Sequence, residues 1–149
     1  SGERTPLHDT GAKGMIFGLD LAHGRGDLFR AVLEGIAHGT RHVIDTYADA
    51  GQKPLACYAV GGGTRNAVWS QATSDTAKLT QIVREKTVGA SYGDAFLAAL
   101  ALGDVKPADI EVWNPIVAKI EPQLGLASLY DRQYRTFRAL YPATRPLLS

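Results

Sequence analysis

The sequence predicts an α/β fold, and three observations support this prediction. Apolar residues recur at helical spacing from Asp27 to Ala50, which indicates one long amphipathic helix. Two short apolar runs, 56–60 and 80–83, have the length and residue types of strands. Further helical segments alternate with these runs, and that alternation is typical of an α/β fold. Since only two clear strands are present, we expect the chain to hold a partial sheet.

The predicted elements begin after a stretch of loop. The first 25 residues are rich in turn-forming glycine and proline pairs. Asp27 suits the positive end of the long helix, and Gly51 is a natural residue to end it. The elements that follow are a buried strand over 56–60, a helix over 66–78 and a second strand over 80–83.

The second half of the chain is predicted to be mainly helical. Residues Ser91 to Leu102 are nearly all apolar, so we expect this helix to be buried on most of its faces. Gly103 ends it. The remaining elements are a short helix from Pro107 to about Trp113, an extended segment from Ile116 to Pro122, and an amphipathic helix from Ser128 to Tyr141.

Composition excludes several classes of protein. The chain has 149 residues and a net charge of +1, which gives no overall field to attract nucleic acid or an acidic membrane. Its longest apolar run, Ala95 to Leu102, is too short to span a bilayer. A single cysteine, Cys57, excludes an internal disulfide and a cysteine-based zinc site. We therefore expect a soluble, cytoplasmic protein of about one domain with neither nucleic acid nor membrane as a partner.

Three consecutive glycines form the most informative motif. Gly61, Gly62 and Gly63 follow the predicted strand and precede a helix that begins near Asn66. A turn without side chains exposes backbone N–H groups, and a helix N-terminus adds partial positive charge, so phosphate oxygens could bind there. Asn66 could cap the helix or hydrogen-bond a base or ribose edge. The motif is neither a P-loop nor a dinucleotide fingerprint. A tight turn without any ligand is the alternative.

A second set of small residues lies at the start of the apolar helix. Gly89, Ala90 and Gly93 would let this helix approach another backbone closely, and the turn at 61–63 is the expected neighbour. Plain helix packing is favoured here over direct contact with a ligand.

The sequence offers no residue that we assign to catalysis or to a metal. Asp75, Glu85 and Asp94 lie in or near the glycine motifs, but helix capping and solvated surface are the expected roles. His38 and His42 are four residues apart on the long helix, without the glutamate of a zinc-protease motif between them.

Several segments in the same order resemble one known family, the FGGY carbohydrate kinases, in its carboxy-terminal domain. The resemblance is greatest to the xylulokinase branch. It rests on GGGTRNAVWSQ at 61–71 with Asp75, Glu85 with VGASYGDA at 88–95, GERTP at 2–6 with IFGL at 16–19, and YDRQY at 130–134 with LYP at 140–142. Lys78 departs from the family, which often has glycine at that position.

The resemblance implies a ribonuclease-H-like fold of the actin-like ATPase type, only part of which is present. Residues 1–149 would form the later part of the carboxy-terminal, nucleotide-binding domain, and the amino-terminal sugar-binding domain would be absent. ATP would lie between the two domains with Mg²⁺. Gly62 and Gly63 would contact its phosphates through the backbone, Gly61 would shape the turn, and Asn66 would contact the adenosine side.

The function that the resemblance implies is transfer of the ATP γ-phosphate to a sugar hydroxyl, with a pentulose such as xylulose as substrate. The catalytic base would lie in the missing domain, so we expect this chain alone to be inactive. That domain and the sugar are the expected partners, and a homodimer is left open. The alternatives are an actin-like or chaperone-like ATPase domain and a structural domain without ligand. The GERTP opening and the pair Trp69 and Gln71 favour the kinase over the ATPase.

Overall fold

The computed structural model describes residues Gly2 to Leu147, which fold as helices and one small sheet. The helices are α1 (Arg25–Asp49), α2 (Ala67–Ala77), α3 (Ala90–Leu102), α4 (Ile110–Trp113) and α5 (Ala127–Thr144). The strands are β1 (Cys57–Ala59), β2 (Gln81–Arg84) and β3 (Ile116–Ile120). Four short 3-10 helices connect them, at Gly62–Arg65, Pro107–Asp109, Leu124–Leu126 and Arg145–Leu147.

The three strands form one mixed sheet in the order β1-β2-β3. β1 and β2 are parallel and α2 connects them, which is a β-α-β unit. β3, the predicted extended segment, returns antiparallel to β2. Each element predicted from the sequence is present, and most of their ends differ by one or two residues.

The helices α1, α2 and α5 pack against one another and hold much of the core. Six apolar side chains are buried among the described residues: Leu33, Ala37, Ala72, Phe96, Tyr130 and Tyr134. Asp131 of α5 links the three helices, because its two carboxylate oxygens accept from Arg41 of α1 at 2.8 Å and from Lys78 after α2 at 2.7 Å. Ion pairs that are partly exposed, as these are, contribute little to stability, usually about 0–1 kcal/mol each.

The expectation for the apolar helix is wrong. Only Phe96 of α3 is buried, and the side chains of Leu97 and Leu102 are 60% and 79% exposed. A helix with apolar residues on every face is expected to be buried by other parts of the protein on every face. No element between Gly2 and Leu147 covers those two side chains.

The last helix also runs further than predicted. It continues through Pro142 to Thr144, although its end was expected at Tyr141. Proline has no N–H to donate, but the final turn continues with backbone still in the helical region at Arg145. The loop at the start of the chain is fastened to this helix, because the Tyr141 hydroxyl donates to Asp9 at 2.6 Å.

Within the described residues, no helix combines the length and the apolar character that crossing a bilayer requires.

Candidate functional site

The glycine turn begins at the end of β1 with a residue whose conformation requires glycine. Gly61 has φ of +87°, in the region that side-chain-bearing residues rarely adopt. Its N–H donates to the carbonyl of Thr87 at 2.9 Å, beyond β2. Its carbonyl accepts from the Thr64 hydroxyl at 2.8 Å. These contacts and the positive φ of Gly61 hold the turn in its conformation.

Gly62 and Gly63 start the 3-10 helix Gly62–Arg65, and their N–H groups are the available donors. The first N–H groups of a helix have no acceptor within it. Among residues 2–147 no other acceptor is recorded for these two. A Cβ placed on Gly62 would meet nothing within 4 Å, so this residue faces open space. The turn therefore has two neighbouring backbone amides without a recorded acceptor, an arrangement that can bind an anion.

At Gly63, side-chain packing favours glycine whether or not a ligand binds. A Cβ at this position would lie 2.6 Å from Cζ3 of Trp69, in the first turns of α2. Real Cβ atoms do not approach a ring so closely. The indole therefore packs directly against the Gly63 backbone, a contact that the sequence alone did not reveal.

Asn66 caps α2, which is one of the two roles proposed for it. Its Oδ1 atom accepts from the backbone N–H of Trp69 at 3.1 Å. Its Nδ2 group has no recorded acceptor in the part of the chain that the structure describes. The cap therefore uses the oxygen of this side chain and leaves its NH₂ group without a recorded partner.

A cavity of about 310 Å³ lies beside the turn, between β1, α1 and α2. Its lining includes Gly63, Thr64 and Trp69 from the turn and α2, and Thr40 and Ile44 from α1. All of β1 contributes to the lining as well. The turn thus has open space at Gly62 on one side and this largely apolar cavity on another.

The second glycine motif does not pack as expected. A Cβ at Gly89 or Gly93 would have no neighbour within 4 Å, so neither glycine is in close contact with the 61–63 backbone. The link between the two motifs is the Gly61 to Thr87 hydrogen bond, two residues before the helix cap. Gly89 has φ of +86° and ends the loop before α3, so its conformation rather than a close approach requires glycine.

Asp75 has a role that the sequence did not predict. It was expected to be a cap or a solvated residue, but it is only 3% exposed. Its Oδ1 atom accepts from the backbone N–H of Gln123 at 2.6 Å and from Gln71 Nε2 at 2.9 Å. The carboxylate therefore fastens α2 to the segment after β3, and through α2 it supports the glycine turn.

A second buried set of polar groups acts in the same way. Gln81 Nε2 of β2 donates to the Ser70 carbonyl at 2.5 Å and to the Ser74 hydroxyl at 2.8 Å. That hydroxyl donates to the carbonyl of Ile120 in β3 at 2.8 Å. Ser70 and Ser74 lie at i and i+4 on one face of α2, and this spacing is the signal from which the contact could have been predicted.

Two other titratable residues considered in the sequence, Glu85 and His38, make contacts within the protein that explain their positions. Glu85 is exposed and pairs with Lys86 at 2.8 Å. His38 is buried against the rings of Tyr130, Tyr134 and Phe137, and this burial lowers its pKa to about 4. Within the described chain, no group of three His, Cys, Asp or Glu side chains could hold a metal ion.

Comparison with known proteins gives the same family as the sequence motifs. The family model for the C-terminal domain of the FGGY family of carbohydrate kinases matches residues 1–102. Xylulose kinase of Escherichia coli (strain K12) is 34% identical over 151 residues, which span 100% of this chain and 31% of that protein. Xylulose kinase of Staphylococcus epidermidis is 33% identical over 150 residues, 99% of this chain and 30% of that protein.

Solved structures agree on the fold. The crystal structure of xylulose kinase from Rhodospirillum rubrum has a TM-score of 0.83 at 36% identity, covering 92% of this chain and 28% of that one. Glycerol kinase from Plasmodium falciparum, determined with ADP, shares the fold with a TM-score of 0.76 at 22% identity, covering 99% of this chain and 29% of that one. The predicted α/β fold of the actin-like ATPase type is therefore confirmed, as is its partial extent. The chain spans about 30% of the length of the relatives it matches. It belongs to the FGGY family of carbohydrate kinases, in the C-terminal domain and on the xylulokinase-like branch.

Proposed function

We propose that this chain is the ATP-binding part of a carbohydrate kinase that transfers the γ-phosphate of ATP to a hydroxyl of a pentulose such as xylulose. One observation carries the proposal: two neighbouring backbone N–H groups, at Gly62 and Gly63, have no recorded acceptor at an open turn. The relatives named xylulose kinase, at 34% and 33% identity, support the pentulose as substrate class.

The turn suits phosphate oxygens because its donors are already in position. Gly61 is fixed by its bond to Thr87, so the two amides need no rearrangement to bind. Hydrogen bonds to a charged acceptor are stronger than those between neutral groups. Arg65, in the same 3-10 helix, is exposed and has no ion-pair partner in residues 2–147, so its guanidinium adds positive charge beside the turn. Asn66 Nδ2 is the donor for the adenosine side.

The rest of the reaction is assigned to the part of the kinase outside this chain. Phosphoryl transfer depends mainly on positioning and on charge stabilisation. A carboxylate in the amino-terminal domain would accept the proton of the sugar hydroxyl. Mg²⁺ would accompany the nucleotide, since this ion is usually bound through substrate phosphates and one or two carboxylates. The described residues present no metal site of their own. We therefore propose that the chain alone does not phosphorylate sugar.

The competing proposal is a structural domain that binds no ligand. The packing of Trp69 on Gly63 supports it at that position, because it explains the glycine without a ligand. Gly62 distinguishes the two functions, because its open surroundings give no packing reason for glycine. Gly125 is a matched control: it also lies in a 3-10 helix, is exposed and has open space around it.

The test is calorimetric titration of ATP into the intact kinase and its Gly62→Val and Gly125→Val variants. Valine keeps the backbone N–H, but its side chain would occupy the open space beside the turn and keep phosphate oxygens from the two amides. Loss of hydrogen bonds to a charged group costs about 1.5–3 kcal/mol, so Gly62→Val should weaken ATP binding at least about tenfold. Gly125→Val should bind ATP as the parent does, and both variants should keep the parent's melting temperature. Unchanged ATP affinity in a folded Gly62→Val variant would refute the proposed site.

A further inference from the structure

The peptide unit between Gly61 and Gly62 contains one of the two amides at the turn. A peptide unit is planar and trans, so its carbonyl and its N–H point in opposite directions. The carbonyl of this unit belongs to Gly61, and the N–H belongs to Gly62. Any contact that fixes the direction of the Gly61 carbonyl therefore also fixes the direction of the Gly62 N–H.

Two donors of Thr64 meet the Gly61 carbonyl. The Thr64 hydroxyl donates to it at 2.8 Å, and the Thr64 backbone N–H donates to it at 3.3 Å. The hydroxyl bond is the shorter of the two, and Thr64 is half-buried where it lines the cavity beside the turn. Gly62 is exposed. The carbonyl thus points toward Thr64, and the N–H on the opposite side of the same peptide points away from it.

Glycine on both sides makes this peptide easy to turn over. Such a rotation changes ψ of Gly61 and φ of Gly62, and glycine tolerates a wider range of both than any other residue. Gly61 has φ of +87° and ψ of −178°. At the same φ, a ψ near 0° is also a common glycine conformation, found in type II turns. The turned-over peptide would present a carbonyl oxygen to a phosphate in place of an N–H donor.

We propose that Thr64 is a positioning residue of the turn, whose hydroxyl holds the Gly61–Gly62 peptide with its carbonyl inward and its N–H outward. This proposal rests on the proposed function, since the Gly62 N–H is one of the two donors assigned to phosphate. Thr64 acts through that peptide and does not itself touch the nucleotide. A site that is competent in only a fraction of molecules binds its ligand more weakly by that fraction, so holding the peptide raises the affinity for ATP.

Hydroxyl-to-carbonyl bonds of this kind are common in helices, and Thr73 supplies a matched comparison. Its hydroxyl donates to the Trp69 carbonyl at 2.9 Å, and Thr73 also lines the cavity. That carbonyl shares its peptide unit with the N–H of Ser70, which donates to the Asn66 carbonyl at 3.0 Å. The helix therefore fixes that peptide with or without the Thr73 hydroxyl. Thr73→Val removes an equivalent hydrogen bond without freeing a peptide of the turn.

Crystal structures of the intact kinase without nucleotide test the conformational part of the proposal. Thr64→Val keeps the shape of threonine and removes the hydroxyl, whereas Thr64→Ser keeps the hydroxyl. The Gly61 carbonyl should turn away from position 64 in some or all molecules of Thr64→Val. It should keep its direction in Thr64→Ser and in Thr73→Val. If Thr64→Val does not fold, Thr64→Ala removes the same hydroxyl and is examined in its place.

Calorimetric titration with ATP tests the consequence for binding. Thr64→Val should weaken ATP binding by at least about threefold, because an acceptor that loses its donor favours the alternative orientation. Thr64→Ser should bind ATP as the parent does, and so should Thr73→Val. The combined variant Gly62→Val/Thr64→Val should bind ATP as weakly as Gly62→Val alone, since both substitutions act on the same amide.

Three results would overturn the proposal. The first is a Gly61 carbonyl that keeps its direction in nucleotide-free Thr64→Val. The second is unchanged ATP affinity in Thr64→Val when Gly62→Val weakens binding. The third is a further loss of affinity in the combined variant, since Thr64 would then act through other groups. If Gly62→Val binds ATP as the parent does, the proposed phosphate site fails, and the nucleotide-free structures still decide whether Thr64 holds the peptide.

Discussion

Substitution of Gly63 by alanine is expected to destabilise the fold, whereas the same substitution at Gly62 is not. The new Cβ at position 63 would lie 2.6 Å from Cζ3 of Trp69 and 3.1 Å from two further ring atoms. The indole would have to move from its place against the turn. At Gly62 the Cβ would meet nothing within 4 Å.

The size of the effect follows from two opposing contributions. Overpacking in a well-packed region costs about 1–3 kcal/mol. The adjoining cavity gives the indole room to shift, which favours the lower half of that range. Alanine also reduces the entropy lost on folding relative to glycine, which returns about 0.5–1 kcal/mol. We expect Gly63→Ala to lose about 0.5–1 kcal/mol and Gly62→Ala, which has the entropy contribution without the overpacking, to gain about 0.5–1 kcal/mol.

Urea unfolding of the two variants, alone and combined with Trp69→Leu, measures this difference. In the Trp69→Leu background the cost of Gly63→Ala should disappear, giving a coupling energy of at least about 0.5 kcal/mol. Equal stability of Gly63→Ala and Gly62→Ala would refute the packing of Trp69 against the turn.

Three other predictions concern the supporting structure. Since burial lowers the pKa of His38 from 6.5 to about 4, the unfolded state binds more protons between these values. The free energy of unfolding should therefore fall by about 2 kcal/mol from pH 7 to pH 5, as measured by urea denaturation at each pH. This fall should be smaller in His38→Phe and unchanged in His23→Gln, a control at an exposed histidine. Asp75→Ala removes the acceptor of Gln123 N–H and should cost about 2 kcal/mol in urea unfolding, whereas the exposed Asp94→Ala should cost almost nothing. Lys78 has φ of +54°, a backbone conformation that glycine adopts without strain and alanine does not. Both Lys78→Gly and Lys78→Ala lose the ion pair to Asp131, so the glycine variant should be more stable than the alanine variant by about 1 kcal/mol. Equal thermal stability of the two variants would contradict this prediction.

The helices and the glycine turn could be predicted from the sequence because each depends on local pattern. The apolar stripe of α1 and the glycines after β1 can each be recognised from residues close together in the sequence. The burial of α3 could not be predicted in this way. An apolar helix such as that of Leu97 and Leu102 indicates that a cover is needed, but the covering element is not encoded in the helix itself.

The roles of individual glycines also lay outside local pattern. Gly61, Gly62 and Gly63 are the same residue type with different surroundings. Gly61 has a positive φ, Gly62 faces open space and Gly63 contacts the indole of Trp69. The third distinction depends on how Trp69, six residues later, turns back onto the loop. The burial of Asp75 likewise depends on where the segment after β3 returns to α2, which is a matter of tertiary packing.

A crystal structure of the intact kinase with a non-hydrolysable ATP analogue tests the central claim most directly. The account predicts phosphate oxygens within hydrogen-bond distance, about 2.7–3.2 Å, of the Gly62 and Gly63 backbone nitrogens. A nucleotide bound with its phosphates away from these two amides, or a turn closed over by protein side chains, would contradict it.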